Sequence, residues 1–112
     1  MSENRINTYH VMWLFVFFDL PVMTRKERKD ATLFRKSLEK DGFSMMQFSV
    51  YIRHCPSKEN MDVHIKRVQL AIPSAGSVSI LSVTDKQFSE IRNFYGKVEK
   101  AKLAVPQQLE LF

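Results

Sequence analysis

A continuous apolar segment near the start of the chain, Met12–Phe18, constrains the fold more than any other feature of the sequence. It is rich in aromatic and β-branched side chains, which favours a buried β-strand. A strand with helices on one face and water on the other would alternate apolar and polar residues, and this segment does not. Both of its faces therefore need cover. We expect a symmetric homodimer that packs sheet against sheet to supply it; the alternative is cover from the chain's own C-terminal segment.

Start and stop signals divide the rest of the chain into helices and strands. Thr24 and Glu27 have the spacing of a capping box, which opens a helix. This helix is expected to run to about Lys40, because Asp41-Gly42 is a typical helix end. Ser57 and Pro73 bound a second helix. The other predicted elements are three strands, Phe43–Gln47, Ser49–Cys55 and Ser77–Thr84, and a short amphipathic helix, Asp85–Phe94, which Gly96 closes.

The predicted order of the main elements is strand, helix, strand, strand, helix, strand. This order is that of the ferredoxin-like βαββαβ fold of the α+β class, an antiparallel sheet with both helices on one face. A chain of 112 residues fits a single domain, 1–112, with a core at about 11–96 and a C-terminal tail at 97–112. The single cysteine, Cys55, excludes an intramolecular disulfide. With neither a signal-peptide pattern nor a bilayer-length apolar run, we expect a cytoplasmic protein without a membrane partner.

Positive charge is concentrated on the first predicted helix, in a chain of formal net charge +5. At about 100° per residue, one narrow stripe of this helix contains four cations and no acid. Such a stripe favours contact with a phosphate backbone over an ordinary solvated face. A second basic row, Arg28 and Arg35, lies closer to the sheet. The candidate nucleic-acid-binding residues are therefore the stripe, Arg25, Lys29, Lys36 and Lys40, together with Arg28, Arg35 and the neighbouring Lys26.

One carboxylate is a candidate metal ligand. Asp19 ends the first strand and is followed by Leu20-Pro21, so it lies where the strand leaves the core. Magnesium binds through one or two carboxylates and completes its shell with water and phosphate oxygens. Two copies of Asp19 brought together by a two-fold axis would form such a site. The alternative is a carboxylate that accepts backbone hydrogen bonds where the strand turns, and spacing alone favours this structural role.

Few other residues suggest chemistry. The histidines His10, His54 and His64 have no metal-ligand spacing with Cys55, so no zinc site is expected. Two aromatic residues of the third strand region, Phe48 and Tyr51, are able to stack on bases. Aromatic residues in strands are more often part of the core, so both interpretations stay open.

The series of motifs resembles one family closely. The strand end Phe17–Pro21 is similar to the opening signature of CRISPR-associated Cas-two proteins. The resemblance covers about Met12 to Gly96, with the motifs in the right order. Their residues are those usual in type II loci. The segments that continue it are Lys26–Lys29, Phe34–Lys36, Asp41–Phe43, Gln47–Tyr51 and Val83–Phe88.

The resemblance implies a ferredoxin-like homodimer that meets through its sheets and bridges two dimers of the Cas-one integrase. The resemblance also implies that this dimer holds the double-stranded DNA of the spacer precursor. Many members of the family are described as Mg²⁺-dependent endonucleases on RNA or DNA, and their strand-end aspartate corresponds to Asp19 here. By the same resemblance, Asp19 would be the catalytic residue and the ligand of Mg²⁺ or another divalent cation at the dimer axis. Hydrolysis would not be required for integration.

The C-terminal tail has two interpretations. In the family a C-terminal strand commonly joins the partner's sheet, and Val105–Phe112 is suited to this role. Gln108–Phe112 also resembles the pentapeptide by which bacterial proteins bind the replication sliding clamp, with Leu109, Leu111 and Phe112 as contact residues. Two other proteins of the same element order remain alternatives for the whole chain, a toxin-type ribonuclease and an RNA-recognition domain.

Overall fold

The computed structural model describes residues 11–100, which form an α+β fold as the sequence predicts. Its four main strands are β1 (Met12–Asp19), β2 (Ser44–Gln47), β3 (Val50–Cys55) and β4 (Ser77–Thr84). They form one antiparallel sheet in the order β2-β3-β1-β4. The helices are α1 (Arg25–Lys40), α2 (Lys58–Ala71) and the short α3 (Asp85–Ser89). A separate hairpin pairs β5 (Asn93–Tyr95) with β6 (Val98–Lys100).

The predicted capping box starts α1. The Thr24 hydroxyl accepts the Glu27 amide at 3.0 Å, and the Glu27 carboxylate accepts the Thr24 amide at 3.0 Å. Two otherwise unpaired amides at the helix start are thereby satisfied. The helix ends at Asp41, and Gly42 follows with φ of +91°, a backbone conformation that glycine adopts without strain. The first helix is thus confirmed at both ends.

Side chains from the two faces of the sheet form two buried clusters. On the face that α1 and α2 cover, Leu14, Val16 and Phe18 of β1 pack against Phe34 of α1. The rings of Phe18 and Phe34 meet edge to face, with their centroids 5.1 Å apart. The opposite face has its own cluster of Trp13, Phe15, Ile52 and Phe88.

The chain itself covers part of that opposite face. Trp13 and Phe15 are only 2% and 6% exposed, because α3 lies on them. The Phe88 ring stacks on Trp13 at 3.9 Å between centroids, and Trp13 Nε1 donates to Asp85 Oδ1 at 2.7 Å. These two side chains are therefore covered by the chain itself and not by the second chain that we expect for this face. Phe17, on the same face, is exposed.

The end of the described chain differs from the sequence prediction. The helix expected at Asp85–Phe94 ends at Ser89. The amides of Glu90 and Ile91 close its last turn on the carbonyl oxygens of Gln87 and Phe88, and the chain enters β5 at Asn93. Gly96 closes no helix; it lies in the turn of the β5–β6 hairpin with φ of +56°. Arg92 donates from Nε to Glu99 Oε2 at 2.8 Å and from Nη2 to Glu99 Oε1 at 3.0 Å. These bonds link the residue before β5 to β6.

This hairpin also bears on the predicted tail. Residues 97–100 of the predicted tail belong to this hairpin, because β6 pairs with β5 of the same chain. The segment expected to add a strand to a partner is Val105–Phe112. The rest of the tail, with Leu109, Leu111 and Phe112, lies outside the described residues. Within residues 11–100, no helix has the length and apolar character needed to cross a membrane.

Candidate functional site

Asp19 is the last residue of β1, at the edge of the molecule. It is exposed and lies opposite Ser77 of β4 in the strand register. Its carboxylate makes no hydrogen bond or ion pair within residues 11–100. The structural role considered for Asp19 requires such hydrogen bonds, so the geometry favours a carboxylate that is available to a ligand.

One chain supplies a single carboxylate to any metal ion at this position. In the described part of the chain, no group of three His, Cys, Asp or Glu side chains is placed to hold a metal ion. A magnesium ion is compatible with Asp19, because it uses one or two carboxylates and fills its shell with water and phosphate oxygens. The residues present therefore fit a divalent ion only when a second chain or a nucleic acid adds ligands.

The four stripe residues of α1 are all exposed, and among residues 11–100 none of them forms an ion pair or a side-chain hydrogen bond. Ala31, Phe34 and Leu38 are buried on the opposite side of the same helix. The amphipathic pattern that packs α1 on the sheet thus presents the cationic stripe to solvent. The stripe consists of Arg25, Lys29, Lys36 and Lys40.

Lys26 lies off this stripe. Its Nζ is 2.8 Å from Asp30 Oδ2, in an i,i+4 ion pair. The hydrogen bond to Asp30 raises the pKa of Lys26 above its ordinary value. Of the cations of α1 predicted to bind nucleic acid, Lys26 is therefore already paired with an acid of the same helix.

The second basic row is tied to neighbouring loops. Arg28 Nη1 donates to the carbonyl oxygens of Val22 and Met23, both at 3.1 Å, and so holds the segment before the helix. Arg35 Nε donates to the Phe48 carbonyl at 3.4 Å. The Arg35 guanidinium lies 3.8 Å from the centre of the Phe48 ring. These two arginines position backbone as well as contributing charge.

The structure separates the two aromatic candidates. Tyr51 is 1% exposed and donates its hydroxyl to Glu39 Oε2 at 3.2 Å. Burial, with a smaller effect of Glu39, raises the pKa of Tyr51. Phe48, in the turn between β2 and β3, is 69% exposed. Tyr51 is a core residue, and only Phe48 is accessible to a ligand.

Sequence reasoning missed a charged cluster that joins α1 to α2. The Asp41 carboxylate lies 2.7 Å from His64 Nδ1 and 2.8 Å from Arg67 Nη1. His64 is buried, and Asp41 directly follows α1. The partners are 23 and 26 residues apart, so no local spacing could have revealed them.

The remaining titratable candidates occupy structural positions. Cys55 is fully buried, and burial raises the pKa of its thiol to about 11. The His54 ring packs edge-on against Trp13 with centroids 5.0 Å apart, and burial lowers its pKa. His10 lies outside the described residues. Cys55 is thus part of the core, and His54 packs against the aromatic cluster of the sheet.

Fold and site together define a small ferredoxin-like α+β protein with an exposed strand-end aspartate and a cationic first helix. The family described as CRISPR associated protein Cas2 matches residues 12–91. The chain belongs to this family, so the resemblance identified in the sequence is confirmed.

Curated relatives agree with this assignment. A protein of Flavobacterium psychrophilum is 53% identical over 96% of this chain and 94% of its own length. A protein of Parvibaculum lavamentivorans is 48% identical over 90% of this chain and all of its own length. A third, from Treponema denticola, is 37% identical over 88% and 97%. Each of the three is named a CRISPR-associated endoribonuclease Cas2.

Proposed function

We propose that the chain is a dimeric, cytoplasmic scaffold of CRISPR spacer acquisition that holds double-stranded DNA for the Cas-one integrase. A metal-dependent endonuclease activity at Asp19, on RNA or DNA, is a separable second property. The observation that supports the scaffold role most strongly is the stripe of four exposed α1 cations, which have no internal partner within residues 11–100.

The stripe has the length and chemistry of a phosphate-binding surface. It extends from Arg25 to Lys40, a distance of about 22 Å along a helix axis at about 1.5 Å per residue. Duplex DNA carries one phosphate charge per about 1.7 Å of its axis, so several phosphates face a surface of this length. Phosphate contacts position a duplex without reading its sequence. This suits a scaffold whose DNA differs in sequence from one spacer to the next.

The proposed dimer would pair two copies of Asp19. Each copy would contribute one carboxylate to Mg²⁺ or another divalent cation, which would polarise a phosphate and lower the pKa of a bound water. The chain's own contribution is an exposed carboxylate at the end of a strand, directly after the buried Phe18. The names of the relatives, as endoribonucleases, support the nuclease part of this proposal.

Integration of a short duplex into a repeat-containing plasmid tests the proposal. The cognate Cas-one integrase is assayed alone, with the wild-type chain and with Asp19→Ala. We expect both forms of the chain to stimulate integration equally, because the duplex is held by α1 and not by Asp19. Cleavage of labelled RNA or DNA with Mg²⁺ is measured in parallel and is expected to be lost in Asp19→Ala.

Two results would contradict this assignment. If Asp19→Ala remains folded and dimeric but no longer supports integration, Asp19 has an active role and the two functions are not separable. If the wild-type chain gives no stimulation yet cleaves RNA, the toxin-type ribonuclease becomes the better description. Sedimentation that shows a stable monomer at micromolar concentration would remove the proposed pairing of Asp19.

A further inference from the structure

The exposed ring of Phe48 stands out among the surface residues of the sheet. It occupies the turn between β2 and β3, a position where small and polar residues are the usual choice. The register between these strands shifts between Met45 and Gln47, which marks a β-bulge directly before the turn. Bulges re-aim the side chains that follow them and are frequent next to active sites.

The Phe48 ring is supported from behind by a cation. The guanidinium of Arg35 lies over the ring at 3.8 Å from its centre, and it also lies 5.3 Å from the centre of the buried Phe18 ring. Two hydrogen bonds fix the turn itself, from Arg35 Nε to the Phe48 carbonyl and from the Phe18 amide to the Ser49 carbonyl at 3.1 Å. The ring is therefore held in place while most of its surface remains open to solvent.

The same turn lies beside the candidate metal ligand. Phe17 pairs with Val50, and the Phe18 amide bonds to Ser49 of the turn. Asp19 directly follows Phe18 in β1, so it lies at the same end of the sheet as this turn. An exposed aromatic ring, a guanidinium and a free carboxylate thus share one edge of the molecule.

We propose that Phe48 and Arg35 form a stacking platform for one unpaired base of a nucleic acid whose backbone passes Asp19. A base can stack on an aromatic ring only when a face of the base is free, so the platform selects a single-stranded segment over an intact duplex. Arg35 orders the ring and attracts the adjoining phosphate. This inference rests on the proposed function in one respect, that the ligand is a nucleic acid.

Fluorescence of a single-stranded oligonucleotide that contains 2-aminopurine tests the platform in the full chain. Phe48→Leu keeps an apolar side chain but removes the aromatic face, and Phe48→Trp restores one. We expect stacking to quench the probe with wild type and Phe48→Trp, and Phe48→Leu to bind the single strand about fivefold or more weakly. The matched control is Phe94→Ala, which removes another exposed ring with an arginine nearby and should bind as wild type does.

Binding of a blunt duplex of the same sequence separates this inference from the proposed function. The duplex depends on the α1 stripe, so all four proteins should bind it equally. If the wild-type chain binds neither probe, the proposed function fails. The platform would be overturned if Phe48→Leu binds the single strand as tightly as wild type does. It would also be overturned if Phe48→Leu binds both the single strand and the duplex more weakly by the same factor. Phe48→Leu that changes a dimer to a monomer in sedimentation would also overturn it, because the ring would then belong to a subunit contact.

Discussion

Removal of the α1 stripe should reduce the salt dependence of DNA binding by an amount that the structure sets. The change is the replacement of all four exposed cations by alanine. Each phosphate contact contributes about 0.9 to the slope of log K against log salt concentration, so four lost contacts reduce that slope by up to about 3.6 per bound chain. The assay is duplex binding by fluorescence anisotropy over a series of salt concentrations.

The variant is expected to fold normally. Alanine is the best helix former, and the four side chains make no hydrogen bond or ion pair within residues 11–100. Removal of a positive charge at Arg25, in the first turn, also improves the charge at the helix N-terminus. Substitutions of this kind change stability by about 0.5 kcal/mol or less each, which urea unfolding can check.

A second quadruple variant controls for net charge. It neutralises four other exposed lysines that form no ion pair in the described part of the chain, and it likewise lowers the formal charge from +5 to +1 by removing four positive charges. If both variants lose the same slope, the net charge and not the stripe binds the duplex, and the reasoning is refuted. The control residues are Lys58, Lys66, Lys86 and Lys97.

Three further predictions concern the titratable groups. Cys55 should resist thiol reagents at neutral pH in the folded chain, because burial raises its pKa to about 11; complete labelling without denaturant would contradict this. Burial lowers the pKa of His54, so the folded state binds its proton less readily than the unfolded state does. The free energy of unfolding is therefore unaffected by this difference above the unfolded pKa of about 6.5, and it decreases as the pH falls below that value. In His54→Gln, the free energy of unfolding should decrease less between neutral and acidic pH than in the wild type, as measured by Trp13 fluorescence. Identical pH profiles for the variant and the wild type would disprove this role of His54. Asp41→Ala should lower the free energy of unfolding by about 1.5–3 kcal/mol, because it removes a charged hydrogen-bond acceptor from the buried His64. Urea unfolding measures this change. A decrease of less than about 0.5 kcal/mol would show that the cluster of Asp41, His64 and Arg67 is not stabilising.

The elements with strong local signals could be predicted from the sequence. Local signals mark two elements clearly. The unbroken apolar run predicts β1, and the capping box and the glycine after the helix predict the two ends of α1, because these signals involve residues close together in the chain. The exposed stripe follows from helical periodicity alone. Four strands and two helices in this order leave few antiparallel arrangements, so the fold class could be derived as well.

Features that depend on contacts between distant residues could not be predicted. The third helix ends at Ser89, and its Phe88 stacks on Trp13, a contact between residues 75 positions apart in the sequence. The same contact covers a face of β1 for which sequence patterning suggested a second chain. Tyr51 is buried where it pairs with Val16 of β1, whereas Phe48 is exposed in the turn before β3, and neither outcome is evident from the neighbouring residues in the sequence.

Integration by the cognate Cas-one integrase in the presence of the two quadruple variants tests the central claim most directly. The measurement is the amount of a short duplex joined to a repeat-containing plasmid at a fixed, near-physiological salt concentration. If α1 holds the duplex, the control variant will support integration as wild type does, and the α1 variant will not, although it remains folded and dimeric. If the α1 variant supports integration as well as wild type does, the duplex is held elsewhere and the scaffold account of α1 is wrong.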